Sequence, residues 1–451
     1  MMTKPRIAVI GGGLSATTFL RYLFSNSKKG SFDVSLFETG QIELIDHIRN
    51  LDVGLRDGVV ERHAHTPWTG GFQKGYMLKM LGGKAMIGAS HLCRFYTEDF
   101  TIDPSAVWPE EVRDLSKVYD EILGRNSWTF EPSELFNKLK HAVGDDSFRS
   151  MQMSCDSHNG KPLPKTAYSP VRDIFQLRAH HTKDLNLLTG NQVVSISKSS
   201  SAKNYTITYV DLSTGERHEQ EVDIVVVAAN TIESTRILLN SPDIKVNENY
   251  LGKYLSEHGC QKWYFETRAI QGGPDEAFCA LMPPKGSKSV DRFHVELKFS
   301  KEENGVRTVA MTGHTAMDSL KNNRIELSQS VDDMGIPKVE VSYKMSSNDT
   351  ARIEAMETRL SEIVKKLEGS NLVAKPCEEG GSYHESCAIR MAENAKDGCV
   401  DVHGKIFGED DVFVLGSSVF PSIGVANPAL TMMALSARTG AFVAENYSDR
   451  N

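Results

Sequence analysis

A glycine-rich turn that follows a short apolar strand is the feature that most restricts how this chain can fold. The first strand is predicted over residues 6–10, and residues 11–16 carry the spacing G-x-G-x-x-A and lead into an apolar helix. In this spacing Gly11 permits a tight turn, Gly13 lets the backbone approach a pyrophosphate, and Ala16 allows the helix to pack closely on the strand. The sequence therefore predicts an α/β fold that contains a Rossmann-type nucleotide-binding unit.

A second predicted strand, over residues 33–38, ends in an acid where such a unit binds ribose. Glu38 follows the glycine turn by about 20 residues, and a carboxylate there can accept hydrogen bonds from a ribose 2'-hydroxyl. A strand-end acid is seldom needed for core packing, so Glu38 is expected to act in binding. The pattern predicts contacts to an adenine dinucleotide from Gly11, Gly13, Leu14, Ser15 and Glu38. It does not distinguish NAD from FAD, and a glycine-rich turn in an α/β fold without a ligand is the plain alternative.

Near the other end of the chain, Asn427 and Pro428 predict the start of a helix. Asparagine is favoured as an N-cap and proline at the first helical position. The free N–H groups of such a helix carry partial positive charge, which favours a nearby phosphate, carboxylate or reduced flavin. An ordinary capped helix that packs on a sheet is the alternative.

Several segments occur in an order and spacing that resemble the glucose-methanol-choline (GMC) oxidoreductase family, and the resemblance covers most of the chain. An early Gly-Gly turn is formed by Gly82 and Gly83. The later segments that carry the resemblance are residues 223–241, 251–258, 383–386 and 412–421, followed by Asn427-Pro428. In the family pattern H-x-x-G-T-C-R-M, this chain has His384, Arg390 and Met391 in place, but it departs at Cys387, Ala388 and Ile389.

The resemblance implies a particular chemistry. It implies that FAD is the cofactor, that His384 removes the proton of a CH–OH group, that Asn427 donates to the developing alkoxide, and that the hydride goes to flavin N5. It implies further cofactor contacts from Gly82, Gly83, Val194, Ala229, Gly416, Ser417, Pro428, Ala429 and Leu430. Members that bind flavin covalently carry a histidine where this chain has Ile87, so non-covalent FAD is implied, and His91 lies out of that register.

The substrate is expected to be a small-molecule alcohol: a sugar, glycoside, polyol or secondary-metabolite alcohol. The acceptor that reoxidises the flavin is left open between oxygen, a quinone and a protein. Two other functions stay open. One is a lyase on the same flavoprotein scaffold, and the other is a catalytically silent FAD-binding subunit, which the departures at residues 387–389 would favour.

The predicted organisation is discontinuous. Residues 1–100, 186–258 and 384–451 are expected to form the FAD-binding domain, and residues 101–185 and 259–383 an α+β substrate domain built on an antiparallel sheet. Alternating segments between residues 261 and 343 predict that sheet, with loops at 272–274 and 283–286. A long amphipathic helix is expected to begin at a cap in residues 347–349 and to bury a stripe that includes Met356, Leu360 and Ile363.

Composition excludes several classes of function. The net charge of −8 and the absence of a basic cluster argue against nucleic-acid binding, and no apolar run reaches membrane-spanning length. The first strand begins too close to the N-terminus for a signal peptide, and the seven scattered cysteines are expected to be reduced, so a cytoplasmic location is predicted. No metal is expected, because His63 with His65 and His180 with His181 lack companions at ligand spacing.

Overall fold

The computed structural model describes residues 4–51, 55–88, 91–129, 134–144, 148–150, 152–199, 204–271, 277–281, 291–376 and 378–448. The helices in this part of the chain are α1 (Leu14–Ser25), α2 (Leu55–His63), α3 (Ser116–Asn126), α4 (Glu134–Val143), α5 (Pro170–His180), α6 (Asn230–Leu239), α7 (Ser347–Lys366) and α8 (Ala429–Tyr447). The strands are β1 (Arg6–Ile10), β2 (Asp33–Glu38), β3 (Ala64–His65), β4 (Trp68–Gly70), β5 (Met77–Leu78), β6 (Ser127–Thr129), β7 (Phe148–Ser150), β8 (Gln152–Ser154), β9 (Ser157–His158), β10 (Lys161–Pro162), β11 (Leu185–Thr189), β12 (Asn191–Lys198), β13 (Tyr205–Asp211), β14 (Arg217–Val222), β15 (Ile224–Val227), β16 (Gly259–Thr267), β17 (Ala277–Leu281), β18 (Phe293–Phe299), β19 (Arg307–Thr315), β20 (Arg324–Val331), β21 (Pro337–Ser342), β22 (Ser370–Pro376) and β23 (Val412–Val414).

A five-stranded parallel sheet in the order β11-β2-β1-β15-β23 forms the nucleotide-binding part of the fold. Its central strands are buried on both faces, which is why β15 is an uninterrupted apolar run with every side chain buried. Helices α1 and α8 pack against each other, and Phe19 and Val443 belong to one apolar core with Ile7 and Val9 of β1. The prediction of an α/β fold with a Rossmann-type unit is confirmed.

The second large sheet has six strands in the order β22-β16-β19-β18-β17-β7, and its described pairings are antiparallel. Helix α7 covers one face, where Met356, Leu360 and Ile363 are completely buried against β16, β18 and β19. The cap of α7 is Ser346, which forms a capping box with Asp349, so the observed cap lies one residue before the predicted residues 347–349. The predicted loops at 272–274 and 283–286 lie outside the described residues.

The alternation of side chains along the strands determines what the opposite face of this sheet carries. Val295 and Leu297 of β18 point into the core beneath α7, so His294 and Glu296 point away from it. On β19 the same alternation buries Val309 and Met311 and presents Thr312 and His314 on the face away from α7. The face of the six-stranded sheet opposite α7 is therefore polar.

The domain limits stay predictions, and the expectation about the cysteines needs correction. Strand β11 begins at Leu185, one residue before the predicted boundary at 186, and the domain limits stay predictions. The expectation of reduced cysteines is wrong for Cys260, which is disulfide-bonded, whereas Cys93, Cys155, Cys387 and Cys399 are free. In the described part of the chain, none of the helices combines the length and apolarity that crossing a membrane requires.

Candidate active site

A single cavity of about 740 Å³ extends from the glycine turn between β1 and α1 to the polar face of the antiparallel sheet. Its wall includes Gly11–Ser15 at one end and Lys262, Glu296 and His314 at the other. His384 and Asn427 also line it. The cavity thus connects the predicted nucleotide site with the two residues predicted to act on substrate.

The glycine turn has the shape that a dinucleotide requires. Gly11 has a φ of +98°, and a Cβ there would lie 2.7 Å from the carbonyl oxygen of Ala228, so a side chain is excluded. A Cβ on Gly13 would meet no atom within 4 Å, which leaves open space beside the backbone. No side chain caps the N-terminus of α1, so its first N–H groups are available to an anion. These features fit a pyrophosphate lying between the turn and the helix.

Glu38 ends β2 within this turn and binds its backbone. Its carboxylate accepts hydrogen bonds from the N–H groups of Gly12 (2.9 Å) and Gly40 (2.8 Å). Burial raises the pKa of Glu38 to about 7, and the backbone donors oppose that rise. The same carboxylate therefore also holds the glycine turn in place, and its contact with a ribose stays a prediction.

Replacing Glu38 by alanine should weaken FAD binding and also destabilise the apoprotein. The substitution leaves the N–H groups of Gly12 and Gly40 without their acceptor, at a typical cost of about 1–3 kcal/mol for each buried group. Urea unfolding of the apoprotein and titration with FAD measure the two effects. Glu219→Ala, at an exposed position on β14, is the matched control. Unchanged stability and unchanged FAD affinity would contradict this role of Glu38.

The structure brings most of the other predicted cofactor contacts to the cavity, but two lie elsewhere. The predicted residues on the cavity wall are Gly11, Gly13, Leu14, Ser15, Glu38, Gly82, Gly83, Ala229, Gly416, Ser417, Pro428 and Ala429. Val194 packs instead against Val210 and Ile336, because alternate residues of a strand face opposite sides and its neighbour Val193 takes the cavity side. Leu430 is completely buried in the apolar core on the inner side of α8.

The helix start at Asn427 differs from its prediction. Helix α8 begins at Ala429 with Pro428 as its N-cap, and no side chain caps it. Asn427 therefore precedes the helix, and the predicted cap is wrong. Its side chain is buried and lines the cavity, and its Oδ1 has no hydrogen-bond partner of good geometry among the described residues. The amide is thus not required for capping, and it lies on the cavity wall beside His294, whose imidazole interacts with it.

A tightly held turn presents His384 to the cavity. Its neighbour Tyr383 has a φ of +62°. The buried carboxylate of Glu257 accepts hydrogen bonds from the N–H of Gly380 (2.5 Å) and the hydroxyl of Ser382 (2.7 Å), and the N–H of His384 donates to that hydroxyl. Burial raises the pKa of Glu257 to about 7. The turn has an unusual backbone angle at Tyr383 and is fixed by hydrogen bonds to the buried carboxylate of Glu257.

The residues that depart from the family pattern lie behind this turn. Cys387, Ala388 and Ile389 are completely buried, and none of the three lines the cavity. The N–H of Cys387 donates to Ser417 and that of Ile389 to Ser418, which ties the segment to the chain after β23. Burial raises the pKa of the Cys387 thiol to about 12, so this thiol is inert. The three departures therefore lie in the core and not on the cavity wall.

His384, which is partly exposed on the cavity wall, belongs to a cluster of imidazoles with the buried His258 and His314, and the sequence did not indicate this cluster. Its Nδ1 lies 2.8 Å from Nδ1 of His258, whose Nε2 lies 3.2 Å from the carbonyl oxygen of Gly424. The ring of His314 is centred 5.5 Å from that of His384. Burial, followed by the neighbouring imidazoles, lowers the pKa of His384 and of His258 well below the ordinary value of 6.5, and burial lowers that of His314 to about 4. All three rings are therefore neutral at neutral pH.

Further functional candidates lie on the polar face of the antiparallel sheet. Nδ1 of His91 lies 2.8 Å from Oε1 of Glu296. Burial alone would raise the pKa of Glu296, but the imidazoles of His91, His294 and His314 lower it overall, so the carboxylate stays ionised. A polar residue at every second position of an otherwise apolar strand, as in residues 293–299, is the sequence signal that could have identified Glu296.

Comparison with known proteins gives consistent results for sequence and fold. Residues 319–436 match the family model described as GMC oxidoreductase. A C-glycoside 3-oxidase of Microbacterium trichothecenolyticum is 26% identical over 265 residues, which is 54% of this chain and only 50% of that enzyme. A 2-methyl-1,2-propanediol dehydrogenase of Mycolicibacterium austroafricanum is 22% identical over 84% of this chain and 83% of its own length.

The fold is similar to that of a solved oxidase. The crystal structure of pyridoxine 4-oxidase from Mesorbium loti superimposes with a TM-score of 0.69 at 14% identity, covering 99% of this chain and 100% of that one. This likeness concerns the arrangement of the whole chain, whereas the family match covers its C-terminal part. The C-terminal part of the chain is thus similar to GMC oxidoreductases, and the fold of the whole chain is similar to that of a solved oxidase.

Proposed function

We propose that this protein is an FAD-dependent oxidoreductase that converts a CH–OH group of a sugar, glycoside, polyol or related small-molecule alcohol to a carbonyl. The observation that carries the proposal is the shared cavity, in which a glycine turn open to a pyrophosphate and the side chains of His384 and Asn427 line one space. FAD, which members of this family generally bind, would accept the hydride. The proposed residues for holding it are those around Gly13, Glu38 and Gly83, with the uncapped N-terminus of α1 facing the pyrophosphate.

His384 would act as the general base. An alcohol loses a hydride readily only as its hydroxyl proton leaves, so a base must lie within hydrogen-bond reach of that oxygen. Nδ1 of His384 is engaged with His258, which leaves Nε2 as the nitrogen that can face substrate. Asn427, released from capping, would donate its side-chain N–H to the developing alkoxide, and a positioned donor of this kind typically stabilises a transition state by about 3–4 kcal/mol.

The substrate class rests on the polar end of the cavity and on the relatives. Lys262, Glu296, Thr312 and His314 offer several hydrogen-bonding groups to a hydroxylated molecule. The relatives' names point to a glycoside for one protein and a diol for the other. A screen of sugars, glycosides and diols with an artificial electron acceptor, repeated with oxygen alone, tests the proposal. It also distinguishes oxygen from a quinone or protein as acceptor, because only an oxidase turns over with oxygen alone.

Neither alternative function is supported by a specific observation. The best argument for a silent FAD-binding subunit was the altered segment at residues 387–389, and those side chains face the core. A lyase would form product without bleaching the flavin, so the anaerobic experiment described below separates it from an oxidoreductase. The cytoplasmic location stays a prediction, and the disulfide at Cys260 argues against it, because disulfides are rare in that compartment.

The cofactor should be bound without a covalent bond. Ile87 stands where relatives that bind flavin covalently carry a histidine, and an isoleucine side chain cannot form that bond. The nearby His91 is paired with Glu296. We expect purified protein to be yellow and to release intact FAD into the supernatant on acid precipitation. Flavin that stays with the precipitated chain would contradict non-covalent binding, and recovery of NAD alone would contradict the proposed function.

The rate of flavin reduction should fall only in acid. The base form of His384 is present above its pKa and is lost as pH falls through it. Since that pKa is lowered well below 6.5, the limiting reduction rate should stay level as pH falls from neutrality past 6.5. Stopped-flow reduction under anaerobic conditions measures it. The pH profile of Glu257→Gln serves as the control, because this substitution removes a nearby carboxylate whose pKa is about 7. A loss of half the rate at pH 6.5 or above in both proteins would be inconsistent with a neutral base.

A further inference from the structure

His258 immediately precedes β16 and is almost completely buried, with 2% of its surface exposed. Both of its ring nitrogens have a partner: Nε2 lies 3.2 Å from the carbonyl oxygen of Gly424, and Nδ1 lies 2.8 Å from Nδ1 of His384. Rotating the ring by half a turn would place carbon atoms at both contacts. The ring orientation is therefore determined by the two hydrogen bonds together.

The positions of the protons follow from these partners. A carbonyl oxygen only accepts, so Nε2 of His258 must carry a proton. Because His258 is neutral, its Nδ1 is then unprotonated and acts as the acceptor of the short contact with His384. Nδ1 of His384 must be the donor, and since this ring is also neutral, its Nε2 carries a lone pair.

We propose that His258 is a positioning residue that holds His384 in the tautomer protonated on Nδ1. The carbonyl of Gly424 in turn fixes the tautomer of His258 by accepting its Nε2–H. The base that faces the substrate is thereby kept ready to accept a proton. When the substrate O–H bond breaks, its proton forms the N–H bond at Nε2 of His384, while Nδ1–H continues to donate to His258. This catalytic consequence rests on the proposed function, but the tautomer itself does not.

The neighbouring imidazole of His314 provides an internal comparison. Its ring centre lies 5.5 Å from that of His384, close to the 4.9 Å that separates His258 from His384. No hydrogen bond joins His314 to His384 among the residues that the structure describes. Proximity and burial are therefore similar for the two rings, and only His258 makes the contact that fixes a proton.

Nitrogen NMR of FAD-bound protein labelled with ¹⁵N-histidine tests the tautomer without any substrate. Resonances of His258 and His384 are assigned by their loss in His258→Gln and His384→Ala. We expect His384 to be protonated on Nδ1 and His258 on Nε2, and His314→Gln to leave both patterns unchanged. A wild-type His384 that carries its proton on Nε2 would overturn the proposal. This readout also holds if no alcohol reduces the flavin, so failure of the proposed function and of this inference are distinguishable.

Kinetics of two variants test the catalytic consequence. Glutamine at 258 can accept from His384 through its carbonyl oxygen and donate to Gly424 through its amide, so His258→Gln should retain most of the flavin-reduction rate. His258→Leu can do neither and should lower that rate by about 10- to 100-fold, the loss typically seen when the outer hydrogen-bond partner of a metal-binding histidine is removed. Substrate KM should change little. Equal rates in His258→Leu and wild type, or equal losses in both variants with unchanged KM, would overturn the positioning role.

Discussion

Replacing His384 by alanine should slow flavin reduction by about 10²- to 10⁴-fold while FAD stays bound, because loss of a positioned general base typically costs that much. The side chain lines the cavity, and the turn that carries it is held by backbone and Glu257 contacts that alanine preserves. The measurement is anaerobic stopped-flow reduction at saturating substrate, with FAD content determined by absorbance.

The matched control for this experiment is His180→Ala, at an exposed position near the end of α5. It removes an imidazole without touching the cavity and should reduce its flavin at the wild-type rate. Wild-type reduction by the His384→Ala protein would show that another group takes the proton.

Replacing Asn427 by alanine should slow flavin reduction by about 10²- to 10³-fold, the usual cost of removing a donor to a developing oxyanion. The substitution should not lower the melting temperature through the loss of a helix cap, because Pro428 occupies the cap position and Asn427 makes no capping hydrogen bond. Stopped-flow reduction and thermal unfolding of the same preparations measure the two quantities.

Asn427→Asp tests the charge at this position. The new carboxylate is close in shape to the amide, but it cannot donate and would repel an alkoxide, so reduction should remain slow. Recovery of the wild-type rate by the aspartate variant would exclude donation by Asn427. A normal rate in Asn427→Ala would exclude any role of the side chain in the chemical step.

Local patterns in the sequence were sufficient to predict the nucleotide-binding unit. The glycine turn, the acid at the end of β2 and the apolar run of β15 each encode their structure within a few residues, because backbone freedom and burial act locally. The cavity-facing positions of Gly13 and Glu38 agree with that prediction, and Ala229, which the family resemblance implied, also lines the cavity. Val194 lies elsewhere because a strand reverses the direction of its side chains at every residue, so a shift of one position changes the face.

The imidazole cluster could not be predicted in the same way. His258, His314 and His384 lie far apart in the chain and meet only where the two sheets adjoin the cavity. The proton arrangement depends further on the carbonyl of Gly424, which no residue type encodes. The helix start at Asn427 was also misassigned by propensity, because Asn and Pro favour a cap and a first turn in general, whereas here Pro428 is the cap and the amide faces the cavity.

Anaerobic mixing of the purified protein with glycosides, sugars and diols tests the central claim most directly. The account predicts that a good substrate bleaches the flavin absorbance, that one carbonyl product forms for each flavin reduced, and that His384→Ala slows this bleaching while keeping its FAD. Carbonyl product without bleaching, or FAD that no alcohol reduces although the protein binds it, would contradict the assignment of this cavity to alcohol oxidation.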